Sequence, residues 1–74
     1  MHVVIKGTKT IAEYKERKAM MERLAADAFE EHKKAVTEWH HGEIEKVWFD
    51  HYGNICIEYE DGTYWHYNEK GEWF

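Results

Sequence analysis

The side chains that could do chemistry are few and badly spaced for it. The chain has six His, one Cys and no Ser. A nucleophile needs a base within hydrogen-bond reach. The strand phase derived below sends Cys56 and His66 to opposite faces, so Cys56 reads as a small apolar filler between Trp48 and Tyr67. His40 and His41 are adjacent and would point ~100° apart on a helix, and His32 lies two turns before His40. With no H-x-x-x-H pair and no second Cys, neither a metal nor another cofactor is expected. Glu58 would face Trp65, with Lys46 rather than a second carboxylate nearby, which suits a cross-strand ion pair better than acid–base work. Every Gly falls at a turn or an element end, so no phosphate-cradling loop exists. No catalytic residue emerges, and the chain reads as a non-enzyme.

What the chain has in excess is aromatic surface. Residues 43–74 hold three of the four Trp and four of the five Tyr. They also hold eight acids against Lys46 and Lys70, a net charge of −6 within a chain of net −5. Residues 1–9 carry +2 and residues 10–41 carry −1. An acidic aromatic segment repels phosphate backbones and attracts basic protein surfaces. Base stacking on an aromatic sheet needs a basic groove beside it, so direct nucleic-acid binding is not expected. Carbohydrate stacking on Trp has no accompanying polar pattern.

The elements that position these rings follow from turn chemistry. Asp61-Gly62, flanked by Ile55–Tyr59 and Thr63–Tyr67, predicts a two-residue type I′ hairpin. That pairs Glu60 with Thr63, Tyr59 with Tyr64, Glu58 with Trp65, Ile57 with His66, and Cys56 with Tyr67. Asp50-His51-Tyr52-Gly53-Asn54 suits a type I turn with Gly53 left-handed in a G1 bulge, pairing Phe49 with Ile55, Trp48 with Cys56 and Val47 with Ile57. Asn68–Glu72 repeats that chemistry and sets Trp73 beside Tyr67.

Side chains alternate between the faces of a strand. One face is therefore expected to hold Val47, Phe49, Ile55, Ile57, Tyr59, Tyr64, His66 and Phe74. The other would hold Ile44, Lys46, Trp48, Cys56, Glu58, Trp65, Tyr67 and Trp73. A one-residue slip would exchange the sets.

Upstream, His2–Lys6 is a β-branched run ended by Gly7, expected as a short strand on an edge of the sheet. Thr10-Ile11-Ala12-Glu13 fits a capping box, and no Gly or Pro follows until Gly42, so one helix is expected over residues 10–41. Its apolar stripe gathers Ile11, Tyr14, Met21, Leu24, Ala25, Ala28, Phe29, His32, Ala35, Val36 and Trp39 within an arc of about 140°. At ~46 Å such a helix outruns any strand here. It must overhang, break, or pack against a second copy.

The expected architecture is a single α+β domain spanning residues 1–74. One long amphipathic helix covers the aliphatic face of a three- to four-stranded antiparallel meander, in the order β-α-β-β-β. The chain is expected to be soluble and cytoplasmic, with no membrane-spanning run. The uncovered face would be a partner-binding surface anchored by Trp48, Trp65, Tyr67 and Trp73, with Glu58, Glu60, Asp61 and Glu72 setting orientation and on-rate. The alternative is a homo-oligomer, most simply a homodimer, that uses the helix stripe or the aromatic face on itself.

Compact size, acidity, absence of Pro, one helix on an antiparallel sheet, and the run Glu58-Tyr59-Glu60-Asp61-Gly62-Thr63-Tyr64-Trp65-His66-Tyr67 resemble small inhibitor proteins encoded by phages and other mobile elements, the anti-CRISPR proteins among them. The resemblance implies a mode of action and no catalytic residues. A stoichiometric inhibitor of that kind blocks a CRISPR effector or other nucleic-acid-binding protein in the host-cell cytoplasm.

Overall fold

The structure is a computed structural model that describes residues 1–74. Its elements run β1 (His2–Val3), α1 (Ile11–Ala35), β2 (Ile44–Phe49), β3 (Ile55–Tyr59) and β4 (Tyr64–Tyr67). One helix lies against a four-stranded sheet of order β1-β2-β3-β4. This is the expected α+β order, but the sheet is mixed. β1 is parallel to β2, with His2 opposite Lys46 and Val3 opposite Val47. Parallel neighbours need a long crossover, and α1 supplies it. No helix is long and apolar enough to cross a membrane.

The start of the helix is as its sequence predicts. The Thr10 hydroxyl accepts the Glu13 amide at 3.1 Å. Glu13 reaches back one residue further than a standard box and takes the Lys9 amide at 2.9 Å. The end differs from expectation. The helix stops at Ala35, and Val36 turns extended at φ −114, ψ 150. Val36 and Thr37 are β-branched and weak helix formers. Leaving the helix there also lets Trp39 fold back, its indole N–H donating to the Gly42 carbonyl at 2.7 Å. Trp39 then packs edge-on against Phe29, His32 and Tyr59.

Only part of the apolar stripe is used. Met21, Ala25, Phe29 and His32 are buried on the sheet, while Ile11, Tyr14, Leu24 and Val36 stay exposed. The helix therefore overhangs the sheet at its N-terminal end. The core joins these helix residues to Val3, Ile44, Val47, Ile55, Ile57, Tyr59 and Tyr67.

The second hairpin overturns the expected face assignment. β3 and β4 pair Ile55 with Tyr67, Cys56 with His66, Ile57 with Trp65, and Glu58 with Tyr64. That is one residue away from the predicted register. The loop holds three residues, Glu60, Asp61 and Gly62, closed by the Gly62 amide on the Tyr59 carbonyl at 2.9 Å and the Tyr59 amide on the Thr63 carbonyl at 2.9 Å. A type I′ turn would force positive φ on Asp61 as well as on Gly62. Here only glycines take positive φ, Gly62 among them at 87°. The same hydrogen-bond pattern closes Asp50–Asn54 and Asn68–Glu72, so all three turns of the meander are type I with a G1 bulge.

The slip turns β4 over. Trp65, Tyr67 and, through the Tyr67–Trp73 bridge, Trp73 join the helix side. Tyr64, His66 and Phe74 move to the outer face. Ile44 also changes side, because a bulge at Glu45 pairs Ile44 with Tyr59 and Lys46 with Glu58. The expected contiguous patch of Trp48, Trp65, Tyr67 and Trp73 is therefore divided. Trp48 remains outside, and the other three pack against the end of the helix.

Candidate functional site

The outer face has no layer over it. It consists of two cross-strand rows: Trp48, Cys56 and His66, then Lys46, Glu58 and Tyr64. Phe74 extends the first row as its fourth member and third ring. His66 and Phe74 exchange both backbone hydrogen bonds, at 2.9 and 3.1 Å. Their rings stack with centroids 5.2 Å apart and planes 9° from parallel. Trp48 lies 6.0 Å from Tyr64, and the Lys46 ammonium sits 5.4 Å from the Trp48 ring. Tyr64 is 59% exposed and Phe74 62%. Large apolar groups left this open on a domain with a small core are the usual mark of a contact surface.

Of the residues expected to bind a partner, the anchor Trp48 and the orienting Glu58 are on this face and half-buried. Trp65 lies within 5.0 Å of His32 and 4.9 Å of His41. Trp73 stacks on His32 at 4.4 Å. Tyr67 is buried, its hydroxyl 2.8 Å from His32 Nδ1 and 2.7 Å from the Tyr59 hydroxyl. Burial, then the adjoining Tyr59 hydroxyl, pushes the Tyr67 phenol well above its usual range; burial raises Tyr59 to about 12. These three rings hold the fold together.

The acidic groups are divided between the two ends of the sheet. At one end Glu60 accepts the Glu43 amide at 2.7 Å. Asp61 accepts the Thr63 hydroxyl and amide and meets His41 Nδ1 at 2.6 Å. Those bonds, Thr63 first and then His41, lower the Asp61 carboxyl to about 2. At the other end Glu72 takes the Asn68 amide group at 2.9 Å. All three acids remain exposed, yet each fastens a turn.

The register also brings together a cluster that the sequence phase had kept apart. Cys56 and His66 are cross-strand partners, with Sγ 3.1 Å from Nδ1. Asp50 Oδ2 lies 2.8 Å from that same Nδ1. Burial would raise the Asp50 carboxyl, but hydrogen bonds from Asn54, His66 and Tyr52 outweigh it and hold the group far below its ordinary value. Cys56 is fully buried, and burial together with the Asp50 charge pushes its thiol up to about 11. A nucleophilic relay needs the two imidazole nitrogens to serve different partners. Here one nitrogen faces both, and the thiol is protonated, so the trio is not built as a cysteine nucleophile.

A cleft of about 280 Å³ lies on the β1 flank, walled by Met21, Trp48 and Phe49 and bordered by Lys6, Arg17 and Lys46. Only Lys46 among them stands on the sheet; Lys6 follows β1 and Arg17 belongs to α1.

The exposed rings and the Cys56–His66 pair were missed for one reason, the choice of turn type. A usable signal was present in β4 itself. Trp65 and Tyr67 are the bulkier pair and Tyr64 and His66 the more polar one, which favours the register that buries the former. Comparison with protein-family models, with curated proteins and with solved structures gives no match.

Proposed function

We propose that the chain is a non-catalytic binding module that docks a protein partner on the outer face of its sheet. Trp48, Tyr64 and Phe74 are the anchors, and Lys46 and Glu58 fix the register between them. The observation that carries this reading is the bare outer face: the single helix covers one side of the sheet, and large rings stand on the other. A basic partner surface is the occupant, because residues 42–74 carry a net charge of −6. Glu60, Asp61 and Glu72 steer from the ends of the sheet, and Trp65, Tyr67 and Trp73 support it from below. A stoichiometric inhibitor of a nucleic-acid-binding effector, the mode implied by the anti-CRISPR-like style of the chain, fits that partner chemistry. The sharing of one His66 nitrogen by Cys56 and Asp50, which leaves the thiol without a relayed base, speaks against a cysteine enzyme.

The test uses the purified partner captured by the wild-type chain. Trp48→Ala combined with Tyr64→Ala is expected to weaken binding by roughly 30-fold or more, with the melting temperature unchanged within a few degrees. Raising the salt concentration should slow association. Trp65→Ala, by contrast, should lower the melting temperature. Wild-type affinity in the double variant, or association indifferent to salt, would remove the proposal.

One feature favours self-association as a second reading. Ile11 is 76% exposed and Tyr14 44% on the overhanging helix turns, a stripe a second copy could cover. A molar mass that rises with concentration in light scattering, and returns to the monomer value in Ile11→Glu, is its signature.

A further inference from the structure

We propose that Asp50, Cys56 and His66 form a binding site for a divalent transition-metal ion, zinc(II) by the chemistry of the ligands, with the fourth position open to solvent. The three come from separate places in the chain, the end of β2, the middle of β3 and the middle of β4. Asp50 Oδ2, Cys56 Sγ and His66 Nδ1 all lie within 4.8 Å of one another. Carboxylate, thiolate and imidazole are the ligand types zinc takes, and three protein ligands with one open position is a known zinc arrangement.

Hydrogen bonding alone serves this trio poorly. His66 Nδ1 is 2.8 Å from the carboxylate and 3.1 Å from the sulfur. One ring nitrogen has one proton or one lone pair, so it can satisfy one neighbour well and not both. Cys56 Sγ otherwise has the Asn54 carbonyl at 3.9 Å, and a cation at the centre gives all three atoms a closer common partner. Tetrahedral coordination needs ligand atoms ~3.3–3.6 Å apart, so the two contacts to His66 Nδ1 would each open by roughly 0.5 Å, while Asp50 Oδ2 and Cys56 Sγ, which lie within 4.8 Å, would draw together. Binding releases the Cys56 proton to solvent. The carboxylate and thiolate then cancel the two positive charges of the ion, which suits a half-buried site.

The surroundings already orient the ligands. Asp50 Oδ1 accepts the Tyr52 and Asn54 amides at 2.8 and 2.9 Å, and Oδ2 accepts the Asn54 side-chain amide at 3.0 Å. The His66 ring is fixed by its stack on Phe74. Supporting contacts of this kind are what metal ligands ordinarily have. The turn itself does not call for a carboxylate. In the equivalent turn Asn68 Oδ1 accepts the Lys70 and Glu72 amides, both at 3.0 Å, with an uncharged side chain. The charge at Asp50 is therefore spare for another use, and it points at His66 and Cys56.

The probe is cobalt(II), titrated into the reduced 74-residue chain without any partner, so the result does not depend on the docking surface. Cys56 is the only cysteine, so a sulfur-to-cobalt charge-transfer band in the near ultraviolet reports this site alone. The expected result is that band at one equivalent, with visible bands of tetrahedral intensity, both displaced by zinc(II). Cys56→Ser should abolish the charge-transfer band. Asp50→Asn, which keeps the turn, and Asn54→Ala, which removes only the amide behind Oδ2, should each weaken binding, the latter roughly 10- to 100-fold. Absence of the band at saturating cobalt would overturn the proposal. So would binding without the band, which places the ion on exposed histidines such as His40 and His51, or a band unchanged in His66→Ala. Should His66→Ala not fold, the wild-type titration and Asn54→Ala decide the matter.

Discussion

His32 is the residue on which the helix and the sheet close. It is 4% exposed and has Trp39, Trp65, Tyr67 and Trp73 around it, with ring centroids 4.9, 5.0, 5.6 and 4.4 Å away. Burial, and then the neighbouring His41, lowers its pKa from 6.5. A lowered value means the folded state holds His32 neutral while the unfolded chain takes up a proton near pH 6.5. Its contribution is therefore complete above that pH and is lost as the pH falls. The urea midpoint should be flat between pH 7 and 8 and drop from pH 6.5 towards 5. A further fall, from about pH 4 downward, belongs to Asp61 and Asp50 together, whose carboxyls are both lowered by their hydrogen bonds. On the alkaline side the raised Cys56 thiol and the raised Tyr59 and Tyr67 phenols reverse the sign, and stability should fade as the pH rises above 9. A midpoint that stays level down to pH 5 would contradict the assignment of His32. Tyr67 links His32 to Tyr59, so Tyr67→Phe leaves two buried polar atoms without partners. Urea denaturation should show a loss of about 1–3 kcal/mol, against almost none for Tyr64→Phe on the outer face.

Elements, their order and their layering were legible in the chain; one register was not. The Thr10 cap and the spacing of Met21, Ala25, Phe29 and His32 mark the helix and its buried side, and Gly53 and Gly71 mark two turns by position. Asp61-Gly62 admits two readings that differ by one loop residue. Local chemistry favours the two-residue turn. The three-residue turn spares Asp61 a left-handed conformation, and lets it bind Thr63 and His41. His41 comes from the segment after the helix, so that preference is tertiary and a local pattern cannot contain it. The same limit applies to the helix end, where the burial of Trp39 against Phe29 and Tyr59 outweighs an unbroken run of helix-compatible residues. Candidate residues then divide accordingly. Trp48 and Glu58 keep the face they were given because the correctly read turn joins their strands, β2 and β3, and Trp65, Tyr67 and Trp73 exchange theirs because they lie beyond the other.

At the scale of the molecule, two thin layers extend over 42 × 24 × 18 Å. The long dimension belongs to the helix, ~38 Å for its 25 residues, against ~20 Å for the longest strand. The buried helix positions begin at Met21, and Met20 is only partly covered. The preceding residues from Ile11 to Ala19 are all exposed. Apart from one hydrogen bond, Arg17 Nη1 donating to the Lys6 carbonyl at 2.7 Å, tertiary packing thus protects only the C-terminal part of a single continuous helix. Amide hydrogen exchange should divide it along its length. The amides of residues 15–19 should exchange through local opening, as in a free helical peptide with a good cap, and those from Ala25 to Lys33 only when the whole domain unfolds. Lys15, Arg17 and Lys18 lie in the first region, so trypsin should cut the native protein there before anywhere in the sheet. The overhang is in this sense a separate thermodynamic unit, able to unwind and reform while the sheet below it stays intact.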